Sequence, residues 1–512
     1  MNKQKKINDW SVALLLIFIF FLYSYNLTGW LIHDDEGGYL YQAWRMTEGY
    51  APYRDFYTPK EPLFLFTGSF IFKLFGLDIF WVRMFSVVLT ILTGYLIFLI
   101  GRRVYSNVIA FSAALLYLTL PIVYSQARLF RSDSHVVFFS TLGLFLFLKG
   151  WQDKTRPFFL YSGIFYAIAL GYKLAAILGM SALVFFLVYE AAMRKEKRIS
   201  TFLYFFIPFV SGFLVTSGII LIIVLNLSPS FLNCLINHQL GQPLLSSVHM
   251  FSTLRNNARD FFMLNSCQYD LPDTQSWLII WSLPVIVYYL FTSKETRKIL
   301  SFYIFGVVVL LFSPYPGEIF RYLLYFLPVA VLVFTSIIFY LLGRKRNVIV
   351  RILGLAVLLF ILIKMLTSAF MKDKAIFNAK ENGTLAFAGY IKNHTAEDDY
   401  VVADYGDVLF HAKRKTTPLM AGMSKSTVDN GVITSDKLIS ELEKYHVKMV
   451  LIHKEGGIDK KLGFYLGILP HHFSTLINSK DGSRFLSYLQ SQYQLVADYN
   501  RSGQIFSVYV RK

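Results

Sequence analysis

The sequence predicts a polytopic α-helical membrane protein of about 11 to 13 transmembrane helices, followed by a C-terminal extracytoplasmic α/β domain. Three observations carry that expectation. Of the 512 residues 55% are hydrophobic and only 16% charged. The apolar excess is spread as separate stretches over residues 10–370 instead of gathering in one core. From residue 371 onward the texture becomes that of an ordinary water-soluble chain. Such a composition excludes a soluble enzyme, a disordered chain and a fibre, and 2 cysteines exclude a disulfide scaffold or a cysteine-rich metal module.

A bilayer core needs roughly 20 apolar residues per helical span, and fewer where neighbours shelter the helix. The stretches that meet or approach this are residues 10–30, 79–100, 108–124, 134–148, 158–170, 174–189, 202–225, 277–291, 299–312, 319–342 and 348–370. Residues 10–30 are long for a signal peptide and no small-residue cleavage site follows, so they read as a retained anchor.

Charge tests the count independently, because Lys and Arg in short loops collect on the cytoplasmic side. Alternate loops carry Lys3, Lys5 and Lys6; Arg102 and Arg103; Lys149, Lys154 and Arg156; Arg194, Lys195, Lys197 and Arg198; Lys294, Arg297 and Lys298; and Arg344, Lys345 and Arg346. The other loops hold Asp34, Asp35, Glu36, Glu48, Asp55, Glu61, Asp133 and Glu318. This places the N-terminus in the cytoplasm and the C-terminal domain outside. The net charge of +18 is then partly topological and calls for no nucleic acid.

Residues 1–370 therefore form a membrane domain with a first outer loop at 31–78 and a large outer loop at 226–274, and residues 371–512 form the soluble domain. Within the latter, helix-like runs at 435–445 and 483–490 alternate with strand-like runs at 400–403, 449–453, 495–497 and 505–510. The first outer loop is the most informative segment. It reads His33-Asp34-Asp35-Glu36-Gly37-Gly38-Tyr39, then Trp44, Arg45, Glu48 and Gly49, then Tyr53-Arg54-Asp55-Phe56-Tyr57-Thr58-Pro59-Lys60-Glu61-Pro62. Residues 39–47 have helical character, and 63–76 are apolar but short, which suits helices lying at the interface or re-entering the membrane.

Acidic residues directly after a span can be a solvated helix end or a site. Read as a site, a carboxylate at the bilayer surface takes a proton from an acceptor hydroxyl beside a lipid-borne donor. A phosphate leaving group then needs cations, and Lys60, Arg128, Arg131, Lys173 and Arg321 all fall at outer ends of spans. Asp133 serves equally as a cap for the helix that follows it. Lys173 serves equally as a snorkelling lysine, and Glu318 is a ready ion-pair partner for Arg321. His33, His135 and the pair His471-His472 lack metal-ligand spacing and read as structural. No cofactor is assigned; a divalent cation, if used, takes Asp34, Asp35 and Glu36. Cys234 and Cys267 share the large outer loop, where a disulfide is permitted, and that loop either closes over a substrate or fills surface.

In their order along the chain these features resemble a GT-C superfamily glycosyltransferase of the dolichyl-phosphate-mannose protein mannosyltransferase and lipid A aminoarabinose transferase type. The residues that carry the resemblance are Asp35-Glu36 with Tyr39, Glu48-Gly49, Lys60-Glu61-Pro62-Leu63, Ala127-Arg128 with Arg131 and Asp133, Gly171-Tyr172-Lys173, and Arg321-Tyr322-Leu323-Leu324 with Pro328. They cover residues 10–370. The resemblance implies transfer from a polyprenyl-phosphate sugar donor with inversion at the anomeric carbon and Asp35 as base, Glu36 beside it. It assigns donor phosphate to Lys60, Arg128, Arg131, Lys173 and Arg321, and substrate contacts to Asp34, Tyr39, Glu61, Asp133 and Tyr322. Glu61 departs from the pattern, since many relatives have proline after the lysine.

The acceptor is a protein, a glycolipid or a polysaccharide of the cell envelope, and the remaining partners are membrane lipids. Tyr39, Trp44 and Tyr57 either stack on sugar faces or anchor at the interface. Asp404-Tyr405-Gly406 matches part of an oligosaccharyltransferase motif without its tryptophans and reads as a strand entering a turn. The rival reading is a transporter or lipid flippase, which ordinarily places ionisable groups near mid-membrane. A third, a noncatalytic scaffold, leaves the first-loop charges without a role.

Overall fold

The computed structural model describes residues 9–28, 34–193, 198–240, 299–300, 324–342, 347–349, scattered positions within 352–363, then 384–403, 406–423, 427–428, 431–454, 482–501 and 504–512. Over them run the helices α1 (Asp9–Ser24), α2 (Asp34–Thr47), α3 (Pro62–Phe75), α4 (Ile79–Val104), α5 (Asn107–Thr119), α6 (Pro121–Ala127), α7 (Ser132–Asp153) and α8 (Arg156–Tyr172). They continue with α9 (Ile177–Met193), α10 (Arg198–Leu227), α11 (Phe231–Leu240), α12 (Leu327–Leu341), α13 (Thr384–His394), α14 (Gly406–Ala412), α15 (Ser435–Lys444) and α16 (Gly482–Gln492). The strands are β1 (Val401–Ala403), β2 (Met449–Lys454), β3 (Tyr493–Arg501) and β4 (Gln504–Arg511). The chain divides into two compact units: residues 1–27, 83–221 and 247–371, and residues 28–82, 222–246 and 372–512.

In the first unit, four helical segments among the described residues are long and apolar enough to cross a membrane, or five if α5 and α6 count as one bent span. The bend is 63°. Its cause is Pro121, which takes the first position of α6 after Leu120 has left the helical region (φ −64°, ψ 128°). α1 and α12 are apolar but shorter, at 16 and 15 residues, so the predicted span at 10–30 is helical over less than its full length. The predicted span at 277–291, and all but two residues of that at 299–312, lie outside the described residues. α7 ends at a left-handed Lys154 (φ 54°) and α8 starts with Pro157 in its first turn, which makes a tight helical hairpin. α8 and α10 cross backbone to backbone at glycines: a Cβ on Gly163 would lie 2.0 Å from the Phe209 carbonyl oxygen, and one on Gly212 2.2 Å from that of Leu160.

The second unit joins the first outer loop, residues 222–246 and the C-terminal segment. Its sheet has the order β1-β2-β4-β3, with β1 parallel to β2 (Val402 opposite Val450) and the other pairs antiparallel. The strands cover the strand-like runs of the sequence. Val402, Ile433, Leu438, Leu442, Val450 and Phe485 form a core between the sheet, α15 and α16. α15 is started by Thr434, whose hydroxyl accepts the Lys437 N–H.

Candidate active site

In the second unit the chemistry begins on α2. Asp35, Tyr39 and Gln42 follow each other at spacings of four and three, so they form one stripe of the helix. The Lys60 ammonium lies 5.3 Å from the centre of the Tyr39 ring. Burial alone would depress it, but Tyr39, which hydrogen-bonds it, together with the charges of Asp35 and Glu61 outweighs burial and holds it above the ordinary lysine range. Lys60 therefore stays a cation at any physiological pH. Tyr39 is itself braced edge-on by Phe64 of α3 at 5.0 Å.

The loop that brings Lys60 there is tightly built. Tyr53 takes a left-handed conformation (φ 67°), donates its N–H to the Phe56 carbonyl at 2.9 Å, and its ring meets Phe231 of α11 at 4.8 Å. Asp55 accepts the Ala51 N–H at 2.7 Å. Its pairing with the exposed Arg54 lowers its carboxyl below the usual range.

The structure thus brings Asp35, Tyr39, Lys60 and Glu61 together. Glu36, one residue on, is turned about 100° away and is fully buried. The backbone of Asp34 opens α2, but its side chain lies outside the described residues. Among the described residues no three His, Cys, Asp or Glu side chains stand together as a metal site. Trp44 is corrected as a sugar-stacking residue: it is buried, with Tyr41 and Phe410 edge-on to it and the Arg45 guanidinium 5.3 Å from its centre. Glu48 of the Glu48-Gly49 pair is occupied by an ion pair to Arg45.

The C-terminal segment contacts this loop. The Thr416 N–H donates to the Tyr41 hydroxyl at 2.8 Å, and the Tyr57 N–H donates to the Pro418 carbonyl at 2.9 Å. Gly37 passes so close to α14 that a Cβ there would lie 2.7 Å from the Asp407 nitrogen.

The first unit holds a second polar cluster. Asp133, fully buried in the first turn of α7, receives Lys173 Nζ at 2.9 Å and the Tyr325 hydroxyl at 2.7 Å, with Arg131 Nε at 3.7 Å. Two cations thus share one carboxylate. The helix cap position belongs to Arg131, not Asp133. Asp133 instead ties α7 to the α8–α9 turn and to the start of α12. His135 is structural, as its spacing predicts: its Nδ1 lies 3.0 Å from the Arg131 carbonyl oxygen and its ring stacks on Tyr172 at 5.0 Å.

Arg128 departs from its predicted role. Its guanidinium is buried and donates to the carbonyls of Tyr23 (2.8 Å) and Asn26 (3.0 Å), while Arg83 donates to that of Leu27 (2.7 Å). These are carbonyls at the end of α1, which have no intrahelical donors. Arg128 is thus a capping residue for the first span. Arg321, Tyr322 and Cys267 lie outside the described residues, and with them the proposed disulfide to Cys234 of α11. Tyr325 and Arg83 are site and scaffold residues that the sequence reading missed; Tyr325 is one more aromatic in an apolar run, and Arg83 follows a span start where a cation passes for an anchor.

Residues 58–217 match the family model described as dolichyl-phosphate-mannose-protein mannosyltransferase. The chain is similar in structure to ArnT from Cupriavidus metallidurans bound to undecaprenyl phosphate, with a TM-score of 0.63, 14% identity and 97% of each chain covered. It is also similar to the Archaeoglobus fulgidus oligosaccharyltransferase AglB in complex with an inhibitory peptide and a dolichol-phosphate, with a TM-score of 0.59, 12% identity, and 98% of this chain and 74% of that chain covered. No curated protein sequence matches the chain. The chain shares its fold with these two proteins, in keeping with the architecture that the resemblance implies.

Proposed function

We propose that the chain is an integral-membrane glycosyltransferase that moves a sugar from a polyprenyl-phosphate-linked donor to an acceptor hydroxyl at the outer membrane face, with inversion. The observation that carries this reading is the half-buried Lys60, its ammonium against the Tyr39 ring and within the field of Asp35, at the edge of the segment that matches the mannosyltransferase family. A carboxylate and a permanent cation side by side are what such a transfer needs. The acceptor oxygen attacks the anomeric carbon, its proton passes to the Asp35 carboxylate, and the bond from that carbon to the phosphate oxygen breaks. The electron pair leaves on the polyprenyl phosphate, whose growing charge Lys60 meets.

ArnT is bound to undecaprenyl phosphate and AglB to a dolichol-phosphate, both polyprenyl phosphates, which supports the donor class. The acceptor, whether protein, glycolipid or polysaccharide, lies on the side of the C-terminal domain. A transporter reading gives the Asp35 and Lys60 pairing no task.

The test is sugar transfer by the purified protein in lipid, with a panel of polyprenyl-phosphate monosaccharides as donors and host membrane extract as acceptor, comparing wild type with Asp35→Asn. Transfer by the wild type that the variant lacks is the expected result. No transfer from any donor to a competent acceptor, or equal transfer by both proteins, overturns the reading.

A further inference from the structure

The loop that carries Lys60 is held by a chain of neutral hydrogen bonds that ends in the C-terminal segment. The Lys60 peptide is tied on both sides: its N–H donates to the Thr58 hydroxyl oxygen at 3.3 Å, and its carbonyl accepts the Tyr53 hydroxyl proton at 2.6 Å. The Thr58 hydroxyl in turn donates to Oε1 of Gln42 at 3.0 Å, and Nε2 of Gln42 donates to the Ala421 carbonyl at 2.7 Å. Thr58 is 0% and Gln42 4% exposed, so water has little access to replace a lost partner. Close by, Gly422 packs against Tyr57 so tightly that a Cβ would fall 2.4 Å from the Tyr57 carbonyl oxygen.

Gln42 stands seven residues after Asp35 on α2, two helical turns or about 10 Å along the axis. One stripe of one helix therefore presents the carboxylate, the phenol that contacts the Lys60 ammonium, and the amide that sets where the Lys60 backbone lies. A threonine hydroxyl suits the middle of this chain because it accepts from one side while donating to the other. Valine has the same shape and can do neither.

Resting on the reading of Asp35 and Lys60 above, we infer that Thr58 and Gln42 are positioning residues that place the Lys60 ammonium for the donor phosphate, with residues 418–422 of the C-terminal segment as their anchor through the Ala421 carbonyl. The C-terminal segment thereby takes part in donor binding through a side chain of α2.

The test uses the full chain in lipid nanodiscs with undecaprenyl phosphate as probe, measuring its Kd and the thermal unfolding midpoint together. Thr58→Val is expected to weaken binding about five- to tenfold, the loss of roughly one buried hydrogen bond, and Thr58→Ser to restore it to within about twofold. Lys60→Ala, the control, weakens it at least as much. Wild-type binding by Thr58→Val overturns the inference while leaving Lys60 in place, and so does a loss that Thr58→Ser fails to restore, since that marks a packing effect. Wild-type binding by Lys60→Ala instead overturns the phosphate role of Lys60 itself. Should Thr58→Val not fold, Gln42→Met breaks the same chain at its other link, with the same expected weakening and the same outcome overturning the inference.

Discussion

Tyr325 donates its hydroxyl proton to Oδ1 of Asp133, 192 positions earlier in the chain, at 2.7 Å, and Lys173 reaches the same oxygen at 2.9 Å. One buried carboxylate oxygen thus fastens the starts of α7 and α12 and the turn between α8 and α9. Removing the carboxylate takes a shared partner from both cations, whereas removing the phenol hydroxyl leaves the carboxylate and its two cations in place. Asp133→Asn is expected to destabilise the protein by about 3 to 5 kcal/mol and Tyr325→Phe by about 1 to 3 kcal/mol. Thermal unfolding in detergent checks the order of the two; equal midpoints contradict it.

Asp35 is expected to act on the chemical step and not on donor binding. Asp35→Asn keeps the size of the side chain and discards its basicity, so transfer falls by at least the 10² to 10⁴ typical of general-base loss. Undecaprenyl phosphate binding should remain within about threefold of wild type, since the Lys60 cation is retained. A matching loss of affinity would show Asp35 to be chiefly a partner that orients Lys60.

Arg128 carries the opposite expectation. Its guanidinium spans the Tyr23 and Asn26 carbonyls, a two-point contact that a lysine ammonium does not reproduce. Arg128→Lys should therefore lower the unfolding midpoint by a few degrees, about 1 to 2 kcal/mol, with transfer per folded molecule unchanged. Activity lost at an unchanged midpoint would restore the phosphate role.

The membrane helices were legible because span length answers chiefly to bilayer thickness; α7 and α10 lie close to their predicted spans. The sheet strands were legible as short apolar runs between helix-like ones. Asp35 and Lys60 stood out because charge beside a bilayer is costly enough to need a reason. Gln42 and Thr58 did not, because neutral polar residues are common and their meaning lies wholly in partners such as Ala421, far along the chain. Arg128 misled for a related reason: sequence shows a cation at a span end but not the open carbonyls of another helix waiting for it.

Lys413, which falls outside every predicted span, supplies a pH-dependent prediction. It ends α14 in the left-handed region (φ 52°), with Nζ 3.9 Å from the centre of the Phe410 ring and 5.0 Å from that of Trp44. Burial, with Lys392 adding to it, pushes its ammonium down to about 8. An unfolded lysine titrates near 10.4, so between these two values the unfolded chain binds more protons than the folded one. Stability should therefore rise as pH increases from about 8 to about 10.4 and be insensitive to this group below that window. Lys413→Met keeps an apolar stem against both rings and removes the charge, so it should flatten that rise and stabilise the protein at pH 7. The gain is about 1 kcal/mol, reduced by the solvent that still reaches the group. Unfolding midpoints of both proteins from pH 7 to 10.5 decide it: parallel curves would mean that the rings stabilise the cation by as much as burial costs it.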